Sequence, residues 1–426
     1  MKKTHVRYLI LAMLFIVTTF NYIDRATLSI AAPAMQRDLH INAISMGLAF
    51  SAFGWAYTGF QIPAGMILDK WGTRVVNGIG LLMWSVFTAL QGFSTGITML
   101  FLFRFMMGTF EAPAFPANSR IAAMWFPTHE RGFATATFNA AQYFALAAFN
   151  PIMAYVLTKM GWPSVFYATG FTGVIVAGLW FKLMRDPVNH KGANKAEIDY
   201  IRDGGGLADL GSQKMVVKWA NIKVLITNRQ MIGLYLAQFC VVTITWFFLT
   251  WFPSYLVTAR HMSILKVGLV ASIPAIMGFV GGILGGVWSD WLLRKGRSLT
   301  YARKLPVVLG LLLSSSIILC NYVHSDVAVV AIMTLAFFAK GLGALGWCLV
   351  GDTSPKEMVA LSGGVFNFCG QLASISTPIV IGCILAWTKS FELALVYVGG
   401  LAILGALSYL FIVQDIHRVE LEPAKV

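Results

Sequence analysis

The stretch Phe20-Asn-Tyr-Ile-Asp-Arg-Ala-Thr-Leu-Ser29 places a carboxylate, Asp24, next to a guanidinium, Arg25, in the middle of an apolar run from Tyr8 to Met35. About 20 residues of helix cross the roughly 30 Å of hydrocarbon in a bilayer, so this run is long enough to span one. A charge at that depth costs about 2.5–3.5 kcal/mol on the most lenient scale, and such residues face a polar cavity or a partner rather than lipid. The reading that follows is a site through which something moves. The alternative is a self-neutralising pair that only fixes helix packing.

The remaining residues agree with a membrane setting. Of 426 residues 58% are hydrophobic and 12% charged, with a mean hydropathy of +0.72. Soluble domains carry about 25% charged residues, so this is a polytopic membrane protein. A pI of 9.6 would suit a soluble nucleic-acid binder, but the basic residues sit in short loops between apolar runs, as in membrane proteins. Cys240, Cys320, Cys348, Cys369 and Cys383 all fall within apolar runs. Their spacing matches neither a metal site nor a disulfide framework, and they read as small buried hydrophobes. Lys2, Lys3 and Arg7 ahead of an apolar core imitate a signal peptide. The core runs on into Asp24-Arg25 without a small-residue cleavage site, which predicts an uncleaved first helix.

Apolar runs predict twelve helices, at about 8–35, 45–68, 75–95, 97–118, 131–157 and 163–184, then 229–257, 265–289, 302–322, 326–350, 358–386 and 391–414. This divides the chain into a six-helix bundle over 1–184, a polar linker over 185–228 and a second six-helix bundle with a short tail over 229–426. The linker composition allows one short amphipathic helix near Lys195–Arg202. With the N-terminus inside, 24 Lys and Arg face the cytoplasm and five face out, with Arg25, Arg104 and Lys340 inside the runs. That asymmetry places both termini in the cytoplasm.

An internal repeat supports the two halves. Gly65-Met-Ile-Leu-Asp69 follows the second run and Gly286-Val-Trp-Ser-Asp290 the eighth, each trailed by basic residues, Lys70 and Arg74 or Arg294 and Lys295. Such periodicity marks equivalent positions of two repeated units. Gly65 and Gly286 would allow close helix approach, and the aspartates would accept hydrogen bonds from a neighbouring helix end. Together these residues would form a conformational latch. The alternative is an ordinary helix-terminal carboxylate beside loop cations.

Gly65-Met-Ile-Leu-Asp69-Lys-Trp-Gly72-Thr-Arg74 resembles the loop motif of the major facilitator superfamily. Within it, Asn21-Tyr22-Ile-Asp24-Arg25, Phe110-Glu111-Ala-Pro113-Ala-Phe115-Pro116 and Trp125-Phe126-Pro127-Thr-His-Glu130-Arg131 resemble the anion:cation symporter family. Asp199-Tyr-Ile-Arg-Asp-Gly-Gly-Gly206, Ala259-Arg-His-Met-Ser-Ile-Leu-Lys266 and Gly363-Gly-Val-Phe-Asn367 are similar to bacterial sugar-acid:proton symporters, above all glucarate/galactarate permeases and then galactonate permeases. The similarity covers essentially the whole chain.

Arg104 and Glu111 stand seven apart on the fourth predicted helix, which returns them to one face two turns apart, with Gly108 between them. Asp24 and Glu111 are the candidate proton carriers, each held ionised by Arg25 or Arg104 in one state. Burial disfavours the carboxylate and a nearby arginine favours it, so opening a cavity can tip the balance. The freed guanidinium would take a substrate carboxylate, in the two-point manner arginine favours. The alternative is a static network, which seldom repays its desolvation. Which acid pairs with which arginine is left open by the sequence.

Lys340 in Phe337-Phe-Ala-Lys340-Gly-Leu-Gly-Ala-Leu-Gly-Trp347 is the cation of the second half, with Trp347 seven residues on and expected on its face. Arg25 and Lys340 together would clamp a dicarboxylate, whereas snorkelling would require Lys340 to reach about 15 Å along the helix. Tyr22 shares a face with Arg25, and Tyr57, Gln142 and Asn367 offer polar groups to a polyol. The resemblance implies substrate contact for Tyr22, Arg25, Tyr57, Gln142, Trp347 and Asn367; the alternative for each polar group is an interhelical hydrogen bond. No phosphate-binding loop, His-Glu-x-x-His or Cys-x-x-Cys occurs.

The expected fold is all-α, twelve transmembrane helices in two pseudo-symmetric six-helix bundles, with alternating access. The expected function is proton-coupled import of glucarate or galactarate across a bacterial inner membrane. No enzyme activity, nucleic-acid partner, metal or cofactor other than the coupling proton is expected, and the transporting unit is a monomer. The alternatives are galactonate import and a sugar-acid sensor that does not transport.

Overall fold

The computed structural model describes residues 3–208, 225–355 and 359–419, save for the side chains at 69, 128, 129, 132, 359 and 360. All regular structure among them is helical. The helices are α1 (Val6–Asp38), α2 (Ala43–Trp71), α3 (Thr73–Gln91), α4 (Ile97–Glu111), α5 (Ala114–Trp125), α6 (Thr128–Met160) and α7 (Trp162–Leu183), with α8 (Lys195–Asp203) following. Then come α9 (Arg229–Thr250), α10 (Phe252–Thr258), α11 (Ile264–Val270), α12 (Ser272–Arg294), α13 (Leu299–Ser314), α14 (Asp326–Leu342), α15 (Gly346–Thr353), α16 (Val359–Thr388) and α17 (Glu392–Leu407). Among the described residues ten segments are long and apolar enough to cross a membrane. The 29-residue α2 and the α4–α5 pair complete twelve crossings.

Several predicted helices are broken. The fourth run divides at Ala112-Pro113, where proline removes a backbone donor, and the tenth divides at the Gly343–Leu345 turn. The seventh breaks at Trp251, the ninth tightens into a 3₁₀ helix over Ser315–Asn321 and the last widens into a π-helix over Ser408–Val413. Hydropathy sees none of this, because the breaks occur inside apolar sequence. Two hairpins turn on a single residue: Gly72 between α2 and α3 and Gly161 between α6 and α7 have φ of 77° and 80°, a backbone region that glycine enters without strain.

The described chain divides into two compact units, residues 3–41 with 48–208 and residues 42–47 with 225–419. In the first, α3 packs chiefly on α7 and α4, and α1 on α6; in the second, α12 packs on α14 and α9 on α16. The amphipathic helix expected near 195–202 is α8, started by Asn194, whose side chain accepts the Glu197 amide. It is bound to the first unit. The fully buried Glu197 carboxylate accepts the Val6 and Arg7 amides at 3.1 and 3.2 Å and so caps the start of α1. Arg7 pairs with both Glu197 and Glu130. Tyr200 donates to Glu130 at 2.7 Å, and that carboxylate holds the Tyr200 phenol above its ordinary pKa. The later part of the expected linker, 209–224, lies outside the described residues.

Candidate functional site

In the first unit α1 presents Asn21 and Arg25 one turn apart, and both reach Glu111 in the last turn of α4. Arg25 Nη2 lies 2.6 Å from Glu111 Oε1, Arg25 Nε donates to the same oxygen at 2.8 Å, and Asn21 Nδ2 donates to it at 3.0 Å. All three residues are buried. The guanidinium carbon of Arg25 also sits 4.8, 4.6 and 4.9 Å from the ring centres of Tyr22, Phe53 and Tyr57. Desolvated cation–aromatic contacts of this kind are worth about 2 kcal/mol. Gly108 makes the cage possible: a Cβ there would stand 2.6 Å from the Phe53 carbonyl of α2.

Asp24 and Arg104 complete the cluster differently from the expected acid–arginine pairing. Arg104 donates Nη1 to the Asp24 carbonyl at 3.3 Å and Nη2 to the Arg25 carbonyl at 3.4 Å. It thus grips the backbone of α1, while the Asp24 carboxylate makes no ion pair within 4 Å among the described residues. The indole of Trp84 in α3 faces that carboxylate outside full hydrogen-bond geometry, with Arg104 and Glu111 as its charged neighbours. Gln142 turns its amide back to the Asn139 carbonyl of its own helix, α6, rather than to the cluster.

In the second unit Lys340 is buried in the last turn of α14, an end of the helix dipole that favours a cation. Its Nζ lies 5.0 Å from the Phe337 ring centre, and Phe337 packs on Phe248 at 4.5 Å. The expectation that Trp347 shares a face with Lys340 fails, because the Gly343–Leu345 turn separates their helices and a 100° step cannot be counted across it. Trp347 stands edge-on to Phe366 at 5.3 Å, in space left by Gly363, and Asn367 follows Phe366 in α16. Counted from the first residue of each helix, Glu111 in α4 and Lys340 in α14 hold the same, fifteenth, place.

The latch residues behave unequally. A Cβ on Gly65 or Gly286 would meet open space, so neither glycine makes a close helix approach in this structure. The close contacts belong to the neighbouring glycine face: Gly281 and Gly285 rest on the carbonyls of Phe338 and Leu342, and Gly341 on that of Gly278. Asp290 meets Arg303 Nη1 at 3.3 Å, and Arg303 Nε meets Asp352 at 3.1 Å, joining α12, α13 and α15. Arg74 donates to the Phe181 carbonyl of α7 at 2.8 Å, and the Asp69 side chain lies outside the described residues.

A family model described as the Major Facilitator Superfamily matches residues 14–378. The chain belongs to this superfamily. Within the superfamily, it is 53% identical to a probable galactarate/D-glucarate transporter, GudP, of Bacillus subtilis (strain 168), over 99% of this chain and 95% of that one. It is 52% identical to the probable galactarate/D-glucarate transporter GarP of Escherichia coli (strain K12), over 99% and 98%. A D-galactonate transporter of Escherichia coli O6:H1 is 43% identical, over 97% of each chain. Among solved structures, an inward-facing bacterial homologue of the lysosomal transporter Spinster superposes with a TM-score of 0.77 at 15% identity, over 97% of this chain and 98% of that one. That likeness concerns the superfamily fold.

Within this superfamily scaffold the sequence reading missed Asn21, Phe53, Trp84, Arg303 and Asp352. Asn21 was findable, since it lies four residues before Arg25 and shares its helix face. Trp84 and Phe53 carry no such signal in a chain with 13 Trp and 31 Phe. Arg303 and Asp352 look like ordinary helix-end charges until the fold brings them together.

Proposed function

We infer that this chain imports acidic sugars, D-glucarate and galactarate first among them, with protons across a bacterial inner membrane by alternating access. The observation that carries the reading is the buried Arg25–Glu111 pair, tightened by Asn21 and caged by aromatic rings. Protonating Glu111 removes the charge that occupies Arg25. The guanidinium is then free to bind a sugar-acid carboxylate, while Tyr22 and Tyr57 on the same cage offer hydroxyls to the polyol. Proton and substrate are coupled because each changes the affinity of the protein for the other. Asp24 serves as the second proton carrier, and Arg104 holds the α1 backbone on which both Asp24 and Arg25 stand.

The second carboxylate of an aldaric acid calls for a second cation, and among the described residues of the other unit Lys340 is the buried one. Trp347 and Asn367 supply the aromatic face and the amide. The 50%-range identity to galactarate/D-glucarate transporters along nearly the full chain supports this substrate class. The 43% relative named for D-galactonate keeps a monocarboxylate as the second reading. Purified protein in proteoliposomes with an imposed inward proton gradient decides between them. Labelled glucarate and galactarate should accumulate and collapse on adding a protonophore; accumulation of galactonate alone supports the second reading. No accumulation of any sugar acid refutes transport.

A further inference from the structure

Helix α3 carries a buried polar stripe that neither substrate binding nor the Arg25–Glu111 pair uses. Asn77, Trp84, Thr88 and Gln91 recur at three-, four- and seven-residue steps and are each fully buried, so they share one face over about 21 Å of helix. That length is a large part of the roughly 30 Å hydrocarbon core. Both polar atoms of the Asn77 side chain, Trp84 Nε1, Gln91 Oε1 and, just past the helix, Ser94 Oγ have no protein hydrogen-bond partner. Both Asp24 carboxylate oxygens and Arg104 Nε are in the same condition. An unpaired buried polar atom costs about 1–3 kcal/mol, and lipid offers no substitute partner. So many on one seam are what a file of water molecules satisfies, each needing two to four polar neighbours.

The stripe leads to Asp24. Trp84, at its middle, faces the Asp24 carboxylate. Gln91 Nε2 lies 3.6 Å from Met107 Sδ, and Arg104 Nη1 approaches the same sulfur at 4.0 Å, so the outer end of the stripe meets the cluster too. The charged groups around the acid are Arg25 on α1 and Arg104 and Glu111 on α4. From α7, Gly170 and Gly173 pack on the Ser85–Ala89 turn of α3, Trp180 and Phe181 on Gly78, and Tyr167 donates its hydroxyl to the Gly92 carbonyl at the outer end.

We propose that the polar face of α3 is a hydrated proton route inside the first unit, leading from its Gln91–Ser94 end past Trp84 to Asp24. At each hop along hydrogen-bonded water one O–H bond forms as the donor water gives one up, and the last proton arrives on an Asp24 carboxylate oxygen. The sugar acid, bound at Arg25, then need not share its path with the proton. The proposal rests on the proton-symport reading above.

Two measurements test it. Pulsed hydroxyl-radical footprinting of the reconstituted protein needs no transport: Trp84 and Met107 should be modified several-fold faster than the equally buried Trp180 and Met35, because only the former adjoin water. Equal protection would overturn a wet seam. In proteoliposomes, Gln91→Met and Thr88→Val should cut gradient-driven accumulation at least fivefold, while substrate counterflow, which needs no net proton transfer, stays within twofold of wild type. Counterflow also shows that each variant folds. Wild-type accumulation that responds to the gradient, with both variants matching it, overturns the route alone. A wild type indifferent to the gradient overturns the symport reading and the route with it.

Discussion

Glu111 accepts two hydrogen bonds and the Arg25 Nη2 ion contact on one oxygen and nothing on the other. Removing its charge therefore strands Arg25 among the rings of Tyr22, Phe53 and Tyr57. Glu111→Gln is expected to abolish pH-driven accumulation, by tenfold or more, while exchange of preloaded substrate persists; a radiotracer assay run in both modes separates the two. Breaking one partner of a buried ion pair costs about 3–5 kcal/mol, but glutamine keeps an acceptor for Asn21, so the folded protein should survive. At Lys340 the expectation is selective. Lys340→Ala should lose at least tenfold of glucarate uptake and spare any galactonate uptake, since only the diacid has a carboxylate left over. Equal loss of both, measured with the two labelled acids side by side, would assign Lys340 to the shape of α14 instead.

The four charges of the first half were legible because hydrocarbon tolerates none without cause, and Arg104 and Glu111 do share a face of α4. The pairing was not legible, since Arg25 wins Glu111 through a neighbour, Asn21, and through rings supplied by α2. Nor were the helix breaks: Ala112-Pro113 and Gly343–Leu345 interrupt apolar sequence that a hydropathy window averages into one run. Gly108→Ala tests the element packing directly. Its Cβ would press on the Phe53 carbonyl at 2.6 Å, so α2 must shift. The expected result is a lower affinity for substrate, several-fold in a binding isotherm, with little change in thermal midpoint if α2 moves cheaply. Glu197→Ala should act the other way, leaving two α1 amides uncapped and Arg7 with Glu130 alone. A loss of about 1–3 kcal/mol is expected, visible as a lower unfolding temperature with substrate affinity unchanged.

Across the whole molecule, the twelve crossings came from hydropathy, and repetition pointed to Gly65 and Gly286, whereas the closely packed glycines of α12 are Gly281 and Gly285. Gly286 sits one position beyond Gly285, and a single residue turns a helix by about 100°, enough to trade a packed face for an open one. The charge asymmetry of the loops makes a prediction at this scale. With the five native cysteines replaced, a cysteine introduced at Arg297 should react with an impermeant maleimide in inside-out vesicles and stay unlabelled in right-side-out ones. One introduced at Lys389 should do the reverse. The opposite pattern at both would invert the assigned orientation.

The shared register of Glu111 and Lys340 has a genetic consequence. If the two halves arose from one duplicated segment that carried glutamate or lysine at that place, the ancestor held two acids or two bases there. Glutamate and lysine codons differ by a single base, so one transition was enough to turn a matched pair into opposites. The charge preference of such a carrier would then be the kind of trait that point substitution can rewrite.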